Sequence, residues 1–193
     1  MTNSRKTQTK TKKSAKRNVD KIKVNIKGKP AKRTTGQILF AIGLIILPLI
    51  VGVASTIITG DAMMTFGGLN QPPLAPPAWL FPVAWTVLYI LMGVACLLIY
   101  RQTPKTDAEK ELQTTELIVY FAQLAFSFMW TIIFFRLGAR WLAFWWLIVM
   151  WLMIFALIYM CSKNCKAAAW CLVPYIIWCT FASYLNIMIA ILN

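Results

Sequence analysis

No histidine occurs anywhere in the 193-residue chain, and only six residues are acidic. Without imidazole, a common protein ligand to haem iron is missing, and so is a principal nitrogen donor to zinc. The five cysteines (Cys96, Cys161, Cys165, Cys171 and Cys179) are odd in number and lie in or beside apolar runs, so they describe no disulfide framework. Cys161 and Cys165, four apart, would share a helical face. With no histidine and no nearby carboxylate they read as packing thiols, and no metal site is expected. No general acid, nucleophile or metal cluster is visible, so any chemistry here must borrow its reactivity from a bound ligand.

Charge is abundant but confined. Of the twenty Lys and Arg residues, thirteen lie between Arg5 and Arg33. The rest of the chain carries seven basic against five acidic residues, leaving +2 of the total +14. The basicity therefore belongs to a tail, and the body is a membrane protein. Lys, Thr and Ser dominate residues 1–35 and aromatics are absent there, which predicts a disordered segment. Such a tail suits anionic lipid headgroups, at about 1 kcal/mol per basic residue near the surface. Nucleic acid is not expected as a partner, because no aromatic residues interleave the basic ones.

Five stretches reach the roughly 20 apolar residues that a hydrocarbon core about 30 Å thick demands. They are 37–58, 79–100, 117–135, 141–161 and 167–192, and none contains Asp, Glu, Lys or Arg. Backbone polar groups in lipid must be satisfied within the segment, so runs of this length are helices. The expectation is an all-α membrane protein: a five-transmembrane-helix bundle over residues 36–193 behind a disordered basic N-terminal tail, residues 1–35. The short connections on the tail's side carry Arg101, Lys105, Lys110, Lys163 and Lys166, against Arg136 and Arg140 on the other. That bias places the N-terminus in the cytoplasm and the C-terminus outside. The uncharged spans hold no residue for a proton relay, a salt-bridged gate or a voltage sensor. Their polar groups are few, among them Tyr89, Gln123, Ser127, Tyr175 and Asn186.

Aromatic residues form stripes. Phe81, Trp85 and Tyr89 recur every four residues on the second span, one line along a helix. On the fifth, Tyr175, Trp178, Ala182 and Leu185 share a face flanked by Phe181 and Asn186. Large rings opposite the small Ala182 leave a slot in which a flat conjugated ligand could stack. An interfacial aromatic belt is the alternative, and it accounts well for Trp79, Trp141 and Trp170 at span edges. Between the first two spans, Pro72-Pro73 and Pro76-Pro77 stiffen the connection from Gly60 to Ala78, as a pre-shaped lid or as a rigid helix start.

The run Leu69-Asn-Gln-Pro72-Pro-Leu-Ala-Pro76-Pro77-Ala-Trp79, followed by Trp85-Thr86-Val-Leu88-Tyr89 and Met92-Gly93, resembles the signature of the TspO/MBR family, the tryptophan-rich sensory and translocator proteins. Pro174-Tyr175-Ile-Ile-Trp178-Cys-Thr-Phe181-Ala182-Ser-Tyr-Leu185-Asn186 is similar to that family's last helix, and Gln123, Trp130 and Phe134-Phe135 agree in the third. The resemblance implies a five-helix bundle, a homodimer, and a porphyrin or other tetrapyrrole bound beneath the first loop. Trp79, Trp85, Tyr89, Trp130, Tyr175, Trp178, Phe181, Ala182 and Asn186 become the implied ligand-binding set. No cofactor is implied, since a porphyrin would be ligand or substrate. Gln71-Pro72-Pro73-Leu74 replaces the family's Lys-Pro-x-Trp, which removes a cation and an aromatic ring from the loop.

Three functions follow from the resemblance. One is a tetrapyrrole-binding sensor or regulator of porphyrin level. Another is light- and oxygen-dependent breakdown of protoporphyrin IX, with Trp85 and Trp178 as the catalytic pair. The third, transport of tetrapyrroles or small lipophiles, ranks lowest because no inverted repeat or paired broken helices are visible.

Overall fold

The computed structural model describes residues 34–60 and 66–193. The basic tail expected over residues 1–35 thus lies, but for its last two residues, outside the described residues, as does the segment 61–65 of the first loop. Among the described residues five long helices follow one another: α1 (Thr35–Thr59), α2 (Leu80–Tyr100), α3 (Asp107–Thr131), α4 (Arg140–Asn164) and α5 (Lys166–Leu192). All five are long and apolar enough to cross a membrane. The compact unit runs from Leu39 to Asn193. Within it α2, α5, α4 and α3 pack as a ring, each against the next and α3 back against α2.

Local chemistry sets the helix ends. Trp79 is the N-cap of α2, and the Leu80 amide donates to the Pro77 carbonyl at 2.9 Å. Pro82 falls in the first turn, where its missing amide hydrogen leaves no bond unmade. Helix α3 begins ten residues before its apolar run because Thr106 caps it, its hydroxyl accepting from the Glu109 amide at 3.2 Å. Asp107 and Glu109 then sit in a first turn whose dipole favours negative charge. Gln113 locks this corner to α2, its amide donating to the carbonyls of Ile99 at 2.8 Å and Tyr100 at 3.2 Å.

Beyond Thr131 the helix widens into a π segment, Ile132–Arg136, in which the Leu137 amide reaches the Ile132 carbonyl at 3.0 Å. A residue added to one turn turns the helix face, and such bulges recur at functional sites. Here it presents Phe134 and Phe135 as neighbours at 4.9 Å, nearly perpendicular.

Heptad-spaced residues fill the ring's core. On α4, Ala143, Leu147, Met150, Ile154, Leu157 and Cys161 are buried while Trp145, Val149, Leu152 and Phe155 face out. Trp146 and Trp151 anchor α4 instead, their indoles donating to the Phe126 carbonyl at 2.9 Å and the Thr180 hydroxyl at 2.8 Å. Helix α1 is the least buried, its inward line being Ala41, Pro48, Ser55 and Thr59. It reaches α2 at Gly93, where a Cβ would overlap the Ile45 backbone. One feature departs from the charge-free spans expected: Glu116, the residue before the third apolar run, is fully buried on the inner face of α3.

Candidate functional site

A cavity of about 400 Å³ opens between α1, α2, the π segment and α5. That is the size range of small-molecule sites, which are mostly apolar with a few placed polar groups. Helix α2 contributes Phe81, Trp85 and Tyr89; α5 contributes Trp178, Ala182, Leu185, Asn186 and Ile189; α3 and its π segment add Trp130, Thr131, Phe134 and Phe135. On α1, Gly52, Ser55 and Thr56 form the fourth wall. Among the described residues of that lining none is acidic or basic.

Aromatic contacts give the walls their shape. Trp85 lies 5.4 Å from Tyr89, 6.5 Å from Trp130 and, edge-on, 6.3 Å from Tyr175. Trp130 stacks on Phe134 at 5.4 Å. On the opposite side Trp178 meets Phe81 edge-on at 6.1 Å. Asn186 ties two walls together: with its amide oriented to satisfy both partners, it donates to the Arg140 carbonyl at 2.9 Å and accepts from the Trp130 indole at 3.3 Å. Gly52 makes room for Tyr89, whose ring occupies the space a Cβ would take.

Of the nine ligand-binding residues named from sequence, six line this cavity: Trp85, Tyr89, Trp130, Trp178, Ala182 and Asn186. The other three lie elsewhere. Trp79 is 65% exposed at the start of α2. Tyr175 is fully buried beneath Trp85, its hydroxyl donating to the Met150 sulfur at 3.6 Å. Phe181 packs behind Trp178 at 5.8 Å and against Tyr184 at 6.4 Å. The α1 wall and the Thr131 to Phe135 wall were not foreseen. Gly52-Val-Ala-Ser55 is a small-residue patch in an apolar run and could have been noticed; a π turn has no comparable signature.

The proline loop is tied to α5. The Tyr184 hydroxyl donates to the Pro73 carbonyl at 2.8 Å, and the Asn70 amide donates to the Asn193 side chain at 2.9 Å. Asn70 also donates from its side chain to the Leu192 carbonyl at 3.2 Å, satisfying an end-of-helix acceptor.

The TspO/MBR family model matches residues 44–192. The chain is 37% identical over 121 residues to a tryptophan-rich sensory protein of Cereibacter sphaeroides, covering 63% of this chain and 72% of that protein. It is 31% identical over 158 residues to tryptophan-rich protein TspO of Archaeoglobus fulgidus, covering 81% and 99%. To the translocator protein of Ovis aries it is 32% identical over 151 residues, covering 76% and 85%. With this match reaching all five apolar helices, the chain belongs to the TspO/MBR family and is an integral, multi-pass membrane protein.

Proposed function

We propose that the chain is a membrane sensor or regulator that binds a tetrapyrrole, a porphyrin in particular, in the aromatic cavity. The observation that carries this reading is the pairing of Trp85 on α2 with Trp178 on α5 as walls of one cavity whose described lining residues carry no charge. Such a site rewards a flat, apolar, conjugated guest and offers nothing to a small charged one. The relative named a tryptophan-rich sensory protein supports a signalling role.

Titration with protoporphyrin IX in the dark, followed by tryptophan quenching of detergent-purified protein, tests it. Saturable quenching is the expected result. The Trp85→Phe, Trp178→Phe double variant should bind roughly ten-fold more weakly, the equivalent of about 1.4 kcal/mol of lost ring contact. Absence of saturable quenching in the unaltered protein overturns the reading.

A second reading, light- and oxygen-dependent porphyrin breakdown, is favoured by one arrangement. Trp85 stands within 6.5 Å of the Tyr89, Trp130 and Tyr175 rings, a set of oxidisable side chains beside the cavity. Illumination of the same complex separates the two readings. Bleaching that depends on the protein and is lost in the double variant favours the enzyme; unchanged absorbance leaves the sensor.

A further inference from the structure

Below the cavity, the inner face of α3 carries a line of polar residues. Glu116, Tyr120, Gln123 and Ser127 recur at spacings of four, three and four, and each is at most 1% exposed. Residues so spaced stand above one another on one helix face, their Cβ atoms about 5–6 Å apart. The next turn brings Trp130, which lines the cavity. At the far end the Gln102 amide donates to Glu116 Oε2 at 2.9 Å, and Gln102 is half-buried where α2 gives way to α3. The line therefore runs from that end of the bundle to the aromatic cavity.

Apart from Glu116 Oε2, its side-chain polar atoms are not used to hold helices together. Glu116 Oε1, the Tyr120 hydroxyl, both amide atoms of Gln123 and the Ser127 hydroxyl make no hydrogen bond. Beside Glu116 and Tyr120 lie the Cys161 and Cys96 thiols, which are weak partners. The Tyr89 and Tyr175 hydroxyls lie beside Ser127. Gln113 shows what a structural glutamine does on the same helix, its amide bonded to the final carbonyls of α2. Gln123, ten residues further, forgoes all of this and leaves a buried amide unpaired, an arrangement that costs stability. An ionisable residue kept on the inner face of a membrane helix points to a working role.

We propose that this stripe is a proton path joining the α2–α3 end of the bundle to the cavity, carried by its carboxyl and hydroxyl groups and by water that they and the Gln123 amide bind. A proton enters at Glu116 beside Gln102, passes Tyr120, Gln123 and Ser127, and leaves at Tyr89 in the cavity wall. The carboxyl, the hydroxyls and the bound water each release one proton as they take up the next, while the Gln123 amide only holds water by hydrogen bonds, so nothing is consumed. The path stands whatever molecule occupies the cavity.

Reconstitution of the full chain in phospholipid vesicles holding a trapped pH-sensitive dye tests it. A potassium diffusion potential drives protons inward, and the rate of acidification is compared with protein-free vesicles. The unaltered protein should acidify the interior faster than protein-free vesicles. Glu116→Gln and Gln123→Leu should fall to the protein-free rate while keeping native helix content and tryptophan emission. Ser127→Ala, the smallest change, should also slow it and serves if either larger change unfolds the protein. Equal rates for unaltered protein and protein-free vesicles would overturn the proposal, as would an unaltered rate in any folded variant.

Discussion

Leu74 occupies the third position of a turn in which the Ala75 amide donates to the Pro72 carbonyl at 3.1 Å. Its φ of 71° is in the left-handed region that an L-residue enters at a cost of about 1–2 kcal/mol. Its side chain is 80% exposed and pays nothing back in packing. Leu74→Gly should raise the thermal midpoint in detergent, by the equivalent of about 0.5–1 kcal/mol once glycine's added freedom in the unfolded chain is subtracted. Leu74→Val should lower it. Two glycines give opposite tests. An alanine at Gly93 meets the Ile45 backbone, which cannot rotate aside, so α1 must move off α2. At Gly52 its nearest neighbour is the Tyr89 ring, a side chain that can swing into the cavity. Gly93→Ala should therefore cost more stability, about 2–3 kcal/mol at the upper end of overpacking effects. Gly52→Ala should mainly weaken protoporphyrin IX binding, and comparing midpoints with titrations separates the two.

Elements are joined here by few but specific bonds. The first loop depends on Tyr184 and Asn70 for its hold on α5. Each such bond contributes about 1 kcal/mol net. Tyr184→Phe together with Asn70→Ala should speed amide exchange over residues 66–79 by at least about ten-fold, since 1.4 kcal/mol is a factor of ten. The thermal midpoint should change much less, because neither substitution touches Leu69 or Pro72, through which the loop stays packed on the bundle. Thr106 shows the same economy at the start of α3, where one hydroxyl and two carboxylates extend a helix well beyond its apolar run. The π segment does the reverse at the other end, sacrificing regular bonding to bring Phe134 and Phe135 to the cavity wall together.

For the whole molecule, alternation of five helices puts Cys165, between α4 and α5, on the side opposite Leu137, between α3 and α4. From the charge bias we propose that the Cys165 side faces the cytoplasm. A membrane-impermeant thiol reagent added to intact cells should therefore leave the unaltered protein unlabelled at Cys165 and should label a Leu137→Cys variant, whose site is 65% exposed. Labelling of Cys165 alone would reverse the orientation.

Hydrophobicity by itself determined the five helices and their order, because lipid leaves a long uncharged run no other way to satisfy its backbone. Helical spacing likewise put Trp85 with Tyr89, and Trp178 with Ala182, on shared faces, since a period of 3.6 is readable in one dimension. Which faces meet is a different matter. The α1 wall at Gly52 and Ser55 depends on two helices packing at Gly93, a contact set by missing side chains. The π turn depends on a register change that no composition announces. Trp79, Tyr175 and Phe181 look like their neighbours in sequence, but rotation and depth carry them out of the cavity lining. Glu116 lies one residue outside an apolar run and reads as a water-facing charge; only the packing of α3 against α2 and α4 turned it inward and aligned it with Tyr120, Gln123 and Ser127. Local periodicity is a property of the chain, whereas burial of a given face is decided by what the rest of the chain sets against it.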